Sequence, residues 1–524
     1  MHSQDRTVGL QVSTKGQSGN YVLFSPLYST ETYLIDVCGK QIRTWSSQYP
    51  PGVALSLLKD GSLLRAGSVG NTKFGSGQGG IIERYNWDLS LRWSWQLSDS
   101  TQVLHHDIKP MPNGHYLAIV WEAHTRADAI ANGRVTSFPN VPVWSERIIE
   151  IAPVGKDSAT IVWEWRAWDH MMQDKDPAKP NYKVVKEHPE LININYYPAA
   201  TPRDWFHING VDYNPVLDQI VLSVHSLNEF WIIDHSSTTA QAKGHTGGLR
   251  GKGGDLLYRW GNPATYSRGT TADQKLFGQH HVHWVPDSLK YGGKLMLFNN
   301  GYNRPGSETY SSIEVITPPL DDFGSYGRDT GAAFGPANPI IAYTAPKKSD
   351  FYSAFISGVY SLYNGNMLIT EGNNGRLFEV DSTGQIVWQY QNPDAGTTLY
   401  KQGETPLSTQ VFRAESYRAN FAGFTGKKLI PNGEIEGQPL PTSICYKAQN
   451  NHVTEYKADL NAAWPNPAND VLYVPGQSAA DLYDMQGRLV QAGLKGNVKV
   501  SHLQDGCYLL LNNTGMKTRV VIQH

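Results

Sequence analysis

The chain has 524 residues, too many for one small domain and enough for a large core. Its 45 Lys and Arg against 47 Asp and Glu leave a formal charge of −2, so no global field draws it to nucleic acid or to an anionic membrane. No apolar run approaches the roughly 18 residues that span a bilayer, and three scattered cysteines, Cys38, Cys445 and Cys507, exclude a CxxC zinc motif or a disulfide framework and allow at most one bridge.

The N-terminus, "MHSQDRTVGLQV", has no apolar h-region. Either the protein stays inside the cell, or a signal peptide has been removed or lies upstream of this start. Helical periodicity is scarce from there on. Two patterns recur instead. The first is a tight turn followed by a strand, as in "LLKDGSLLRAG" (57–67), "PMPNGHYLAIVWE" (110–122) and "SLYNGNMLITEG" (361–372). Asn-Gly and Asp-Gly supply the positive φ that a short hairpin needs. The second is a pair of strands rich in Trp, as in "RIIEIAPVGKDSATIVWEW" (147–165), "EFWIIDH…GDLLYRWG" (229–261) and "RLFEVDSTGQIVWQY" (376–390). One round of both gives about four strands in 40–70 residues. Five or six rounds predict an all-β chain whose bulk, residues 1–430, is a six-bladed β-propeller. A large sandwich or a double jelly roll is the alternative, but a four-strand period over so long a stretch is hard to place in either.

Seven of the 17 histidines lie between His207 and His283. "QHHVHW" (279–284) holds three of them. On a strand His281 and His283 share one face and His280 takes the other. A His-x-His pair is a start for zinc or iron, with His207 or "HHD" (105–107) as further ligands. No HExxH, Cys pair or obvious ligand carboxylate accompanies it, so no metal and no cofactor is expected. "FNNGYNRP" (298–305) places Arg304 after a turn near these histidines, and a guanidinium among imidazoles suits a sulfate or phosphate group. No glycine-rich phosphate loop points to a nucleotide. Trp205, Trp284 and Tyr302 are candidates to stack on an aryl group; packing between blades serves equally well for them.

Beyond residue 430 the texture changes. "PNGEIEGQPLPTS" (431–443) reads as a linker, taken as 431–460, and short strands between Pro-Asn-Pro, Gln-Gly and Asp-Gly turns predict a small β-sandwich over 461–524. This tail resembles the C-terminal sorting domain of type IX secretion, found in the Bacteroidota. The resemblance rests on Pro465-Asn466-Pro467, Asp484 with Gly487, Gly506-Cys507-Tyr508 and Lys517. It implies passage through the periplasm to the cell surface or medium, with the type IX machinery as partner.

The longer part, about residues 8–425, resembles the bacterial arylsulfate sulfotransferases. The resemblance rests on "HHDIKPMPNGHYL", "RDWFHINGVDYNP", "GDLLYRWGNP", "QHHVHW", "FNNGYNRP" and "FYS…NGNMLITEGNNGRLFEV". It implies a six-bladed propeller that moves a sulfuryl group from an aryl sulfate to a phenol through a sulfohistidine, without a nucleotide donor. His207 stands at the family's catalytic histidine and Arg304 at its active-site arginine. His281, three residues before Trp284, stands at the histidine of the Q-H-x-x-W motif, and His280 takes the place of its glutamine. The family's sulfurylated histidine falls at Arg376, with no histidine nearby, which leaves His283 and His106 as substitutes. The expected catalytic set is thus His207, His281, Arg304 and His283, with His106, His280, Trp284, Tyr302 and Arg376 around the substrate. A sulfate-ester hydrolase, or a surface propeller that binds sulfated or aromatic ligands without chemistry, are the other two readings of the same residues.

Overall fold

The computed structural model describes residues 6–198, 200–440, 444–446, 468, 470–474, 479–484, 488–512 and 517–522. Most of the expected linker, and the Pro465-Asn466-Pro467 turn, lie outside these residues. The chain forms two compact units, a large one holding nearly all of 1–448 and a small one centred on 449–524. Both are nearly all β, in small and mostly antiparallel sheets.

The large unit contains six sheets of four or five strands. Sheet 1 runs Glu415–Tyr417, Tyr21–Phe24, Glu31–Ile35, Gln41–Ser46. Sheet 2 is Pro51–Leu57, Leu63–Ser68, Gly80–Tyr85, Leu91–Gln96, and sheet 3 is Gln102–Pro110, Tyr116–His124, Val143–Val154, Ser158–Arg166. Sheet 4 is Ile208–Asn214, Gln219–Val224, Glu229–Asp234, Tyr258–Trp260, and sheet 5 is His280–Trp284, Leu295–Asn299, Ser312–Ile316, Ile340–Tyr343. Sheet 6 is Gly358–Ser361, Met367–Glu371, Arg376–Val380, Ile386–Gln391, with Gly9–Ser13 paired to its outer edge. The first strand named in each sheet is called its inner strand below. The predicted turns join inner to second strands: Gly61, Gly114 and Gly365 all take φ near +85°, which an L side chain adopts only at a cost.

Packing orders the sheets. Six apolar clusters fill the spaces between them, and each joins two consecutive sheets. Leu34 and Trp45 of sheet 1 meet Leu57 and Leu63 of sheet 2, Leu64 and Ile82 meet Leu104 and Ala118 of sheet 3, and Ile119 and Ile148 meet Leu222 and Trp231 of sheet 4. Val221 and Tyr258 meet Leu295 and Leu297 of sheet 5, and Phe298 and Ile313 meet Val359 and Phe378 of sheet 6. Leu368 and Trp388 of sheet 6 then meet Val22 and Ile35 of sheet 1. The cycle is closed.

The tryptophans that end the rounds add a directional bond to this packing. Trp45 Nε1 donates to Asn86 O, Trp93 to Ser158 O, Trp163 to Ser237 O, Trp260 to Pro336 O and Trp388 to Val37 O, at 2.7–3.1 Å. In each case the acceptor belongs to the stretch that carries the next sheet. A buried indole needs such a partner for its N–H, and the repeated Trp meets that need with a sheet-to-sheet link worth about 1 kcal/mol. Both chain ends of the unit take part in sheets, and Cys38–Cys445 forms the one bridge that the sequence allowed.

In the small unit Val471–Val474 pairs with Gly496–Lys499, and a second sheet runs Leu489–Leu494, Ala480–Asp484, Gly506–Asn512, Lys517–Ile522. Leu472, Val474, Leu482, Val498, Leu510 and Val520 form one core between them. No helix among the described residues is long and apolar enough to cross a membrane.

Candidate active site

Strained backbone recurs in or just before the inner strands. Val53, His106, His207, His281, Ile356 and Ser357 all have φ between +48° and +95°. In sheets 2, 3 and 5 the pairing skips a step around the strained residue, which marks a bulge. A non-glycine residue held there costs about 1–3 kcal/mol, and such strain collects at functional sites. Three of the six are histidines.

Four imidazoles from sheets 3, 4 and 5 follow one another: His106 to His207 at 4.5 Å between ring centres, His207 to His225 at 5.1 Å, and His225 to His280 at 5.3 Å. Phe412 lies 6.2 Å from His106 and 6.1 Å from His280, closing the arc. Gly77 makes room for it, since a Cβ there would lie 2.1 Å from His106 Nε2.

The four rings are held differently. His207 Nδ1–H donates to Asp204 Oδ2 at 2.5 Å, which leaves the Nε2 lone pair outward. His280 is fully used: Nδ1–H donates to Asn300 Oδ1 at 2.8 Å and Nε2 accepts from the Ile356 N–H at 3.2 Å. His106 Nδ1 sits 2.9 Å from His105 Nδ1, and His105 Nε2 sits 2.7 Å from Glu146 Oε2. His105 is stacked flat on Trp121, 3.8 Å away. Burial and the neighbouring imidazoles hold His106 and His225 well below the usual histidine range, and burial is the main cause of His280 lying at about 3. Burial likewise pushes the Glu146 carboxyl well above its usual range and His105 well below. The neutral arrangement of this chain is therefore a protonated Glu146 donating to His105 Nε2, with His105 Nδ1–H donating to His106 Nδ1. His106 then carries its proton on Nε2.

A second group lies further along the same strands. His281 and His283 stack at 4.2 Å and face a cavity of about 630 Å³ with Asp107, Lys109, Asp212, Trp284, Tyr360 and Arg413. Arg413 binds Asp107 with both ends of its fork, at 2.7 and 3.1 Å, and Asp107 also accepts the Val211 N–H. Lys109 pairs with Asp212 at 2.6 Å. Lys109 and Arg413 are thus already neutralised. Burial keeps His281 well below the usual range and His283 at about 4.

The expected residues are divided by this geometry. His106, His207 and His280 come together. His281 and His283 do not join them: they share the face opposite His280, as strand alternation predicts. Trp284 lines the second cavity. Arg304 donates to Ser312 Oγ at 3.0 Å and lies over Tyr310, 4.4 Å from the ring centre; its loop also carries Tyr302, which is half exposed and approaches His225 across Gly278. Arg376 is engaged within sheet 6, by Glu371 at 3.0 Å and by Gln389. Trp205 is fully buried against Phe206 and donates to Tyr196 O, so it packs. Asp204, Glu146, His225, Phe412 and Arg413 carry no role in the sequence reading, and His105 appears there only as a possible metal ligand. Asp204 was legible, three residues before His207 in "RDWFH", and His105 adjoins His106. The others are joined to the site only by folding.

No curated protein matches the chain. Solved structures that match include a protein of unknown function from Bacteroides caccae, 10% identical, covering 76% of this chain and 100% of that one with a TM-score of 0.42. Virginiamycin B lyase from Staphylococcus aureus is 13% identical, with 74% and 85% covered and a TM-score of 0.33. A periplasmic gluconolactonase from Pseudomonas aeruginosa is 12% identical, with 76% and 99% covered and a TM-score of 0.35. Among sequence families, the secretion system C-terminal sorting domain matches residues 462–523, which marks the protein as secreted or displayed on the cell surface. The arylsulfotransferase (ASST) family matches residues 14–394, and the chain belongs to that family.

Proposed function

We propose that this protein transfers a sulfuryl group from an aryl sulfate to a phenolic acceptor in the channel of a six-bladed propeller. The closed cycle of six apolar clusters supports the blade count. The propeller is assigned to 1–430, and 461–524 to a sandwich-like module that engages the type IX machinery.

One observation carries the chemical reading: His207 is oriented by Asp204 beside imidazoles that burial keeps neutral. A neutral imidazole is a nucleophile, and a carboxylate on Nδ1 fixes the tautomer that leaves Nε2 free. His207 Nε2 attacks sulfur, the S–O bond to the aryl group breaks, and the phenoxide leaves. His106 Nε2–H donates a proton to that phenoxide. The proton is replaced through His105 from Glu146, which ends as a carboxylate. In the second half the acceptor phenol returns its proton along the same chain and its oxygen takes the sulfuryl group from His207. Sulfuryl transfer, like phosphoryl transfer, depends mainly on positioning and charge stabilisation. His225 and Arg304 are assigned to the sulfuryl oxygens and Tyr302 to the aryl face. His280 shapes the wall. His281 and His283 belong to the second cavity rather than to the reaction. Arg376, at the position of the family's nucleophile, serves sheet 6, and His207 takes that role.

The test is nitrophenol release from 4-nitrophenyl sulfate with and without added phenol. The proposal expects phenyl sulfate as product and a rate that rises with phenol. Release of inorganic sulfate at a rate independent of phenol means hydrolysis instead. Binding of the donor without release means a binding propeller.

A further inference from the structure

We infer that the chain holds a zinc ion at His170, His245 and Asp255, outside the histidine arc. His170 ends the short 3-10 turn Ala167–His170 that follows the last strand of sheet 3. His245 and Asp255 lie in "KGHTGGLRGKGGD" (243–255), which precedes the last strand of sheet 4. This is the one His, Cys, Asp and Glu group among the described residues whose three ligand atoms lie within 4.8 Å of one another.

Hydrogen-bond accounting points to a cation. His170 Nε2 lies 2.9 Å from Ala242 O, so this nitrogen must carry the proton of a neutral ring. Nδ1 is then a bare lone pair, yet it faces Asp255 Oδ1 at 2.9 Å. His245 Nδ1 converges on the same oxygen at 2.7 Å. Two acceptors at this distance need a proton or a cation between them. His170 is fully buried, and a buried imidazolium is costly. A metal ion on Nδ1 meets the need with the ring neutral. The Nε2–H bond to a backbone carbonyl is the support that metal-binding histidines commonly have.

The geometry and surroundings fit. A tetrahedral zinc with bonds of about 2.0–2.1 Å sets its ligand atoms about 3.3 Å apart, so each of the two nitrogens needs to move from Asp255 Oδ1 by only about half an ångström. Two imidazole nitrogens and one carboxylate suit zinc rather than calcium, which prefers six or more oxygens. His170 is flanked by the parallel ring of Trp165, whose indole N–H is fixed on Gly254 O at 2.7 Å. A Cβ at Gly254 would meet Ala242 O at 2.0 Å and His170 Nε2 at 2.6 Å, so only glycine brings the loop this close. His245 is 56% exposed on its side chain, which leaves a way in from solvent and an open fourth position for water. The ion would fasten the 243–255 loop of sheet 4 to the end of sheet 3.

The experiment uses the full chain, without a histidine tag, stripped with EDTA and desalted. Zinc is titrated in competition with a chromophoric indicator, and melting is followed with and without zinc. Zinc bound in a ratio of about one per chain, with a raised melting temperature, is expected. His245→Ala, at an exposed position, should weaken binding at least tenfold and remove the melting shift; Asp255→Asn should do the same. Three results overturn the site: no zinc bound, calcium bound in preference to zinc, or zinc affinity unchanged within twofold in His245→Ala. His207→Ala serves as the control for the arc. Zinc lost in that variant and retained in His245→Ala places the metal elsewhere and also overturns the proposal.

Discussion

Asp204→Asn tests the proposed chemistry with the smallest change of shape. As His207 attacks sulfur its ring becomes positive, and Asp204, 2.5 Å from Nδ1, stabilises that charge. With an effective dielectric constant of about 20, opposite charges about 4 Å apart attract by about 4 kcal/mol. Each 1.36 kcal/mol is about tenfold in rate, so loss of the charge predicts a fall of about 10²–10³ in kcat/KM. The asparagine amide can also bind His207 in the other tautomer and block the nucleophile, which acts in the same direction. The assay is nitrophenol release at saturating phenol with the donor varied, beside a circular dichroism spectrum and a melting curve to show that the variant is folded. The predicted pattern is a loss in kcat/KM with an unchanged melting temperature. A folded Asp204→Asn protein within threefold of the parent refutes the dyad.

Three further outcomes follow from the same geometry. Glu146→Gln keeps the size of the group but cannot release a proton, so single-turnover cleavage of phenyl sulfate, with its basic leaving group, should slow about 10–100-fold, while that of 4-nitrophenyl sulfate changes less than threefold; equal losses on both donors in this first step contradict the relay. His280 and His283 lie at about 3 and about 4 when folded, below the unfolded value near 6.5, so the stability they contribute is complete above about pH 6.5 and is lost as the pH falls toward 4. The melting temperature should therefore drop steeply between about pH 6.5 and 4, and His283→Gln should flatten the drop, with about 3 kcal/mol at stake for that residue. Arg413→Met leaves Asp107 charged and buried where three sheets meet, and should cost about 3–5 kcal/mol in urea unfolding; a loss below about 1 kcal/mol contradicts the view of this pair as a central tie.

Much of the fold was legible because its signals are local. Asn-Gly and Asp-Gly turns announce themselves within four residues, and the Trp of each round marks a strand that must bury an indole and satisfy its N–H. The site was less legible. The sequence gathers His280, His281 and His283 into four residues, and alternation separates His280 from the other two, but which face meets the arc is decided by how the sheets pack. His225 reads as an ordinary strand histidine and is brought into the arc by the turn Val224–Asn228. Phe412 and Arg413 lie more than 100 residues from any histidine of the two groups and reach them only because sheet 1 takes its inner strand from the far end of the unit. Arg376, at the position of the family's nucleophile, is expected around the substrate; in the folded chain Glu371 on the neighbouring strand binds it at 3.0 Å, a contact the sequence does not announce.

The central claim is that His207 carries the sulfuryl group between donor and acceptor. It is tested most directly by mixing the protein with 4-nitrophenyl sulfate in the absence of phenol, quenching at alkaline pH, and locating the modification by peptide fragmentation. The account predicts a gain of about 80 Da on His207, removed by added phenol and absent in His207→Ala. A sulfuryl group found on His281 or His283, or turnover by a His207→Ala protein at the parent's rate, contradicts it.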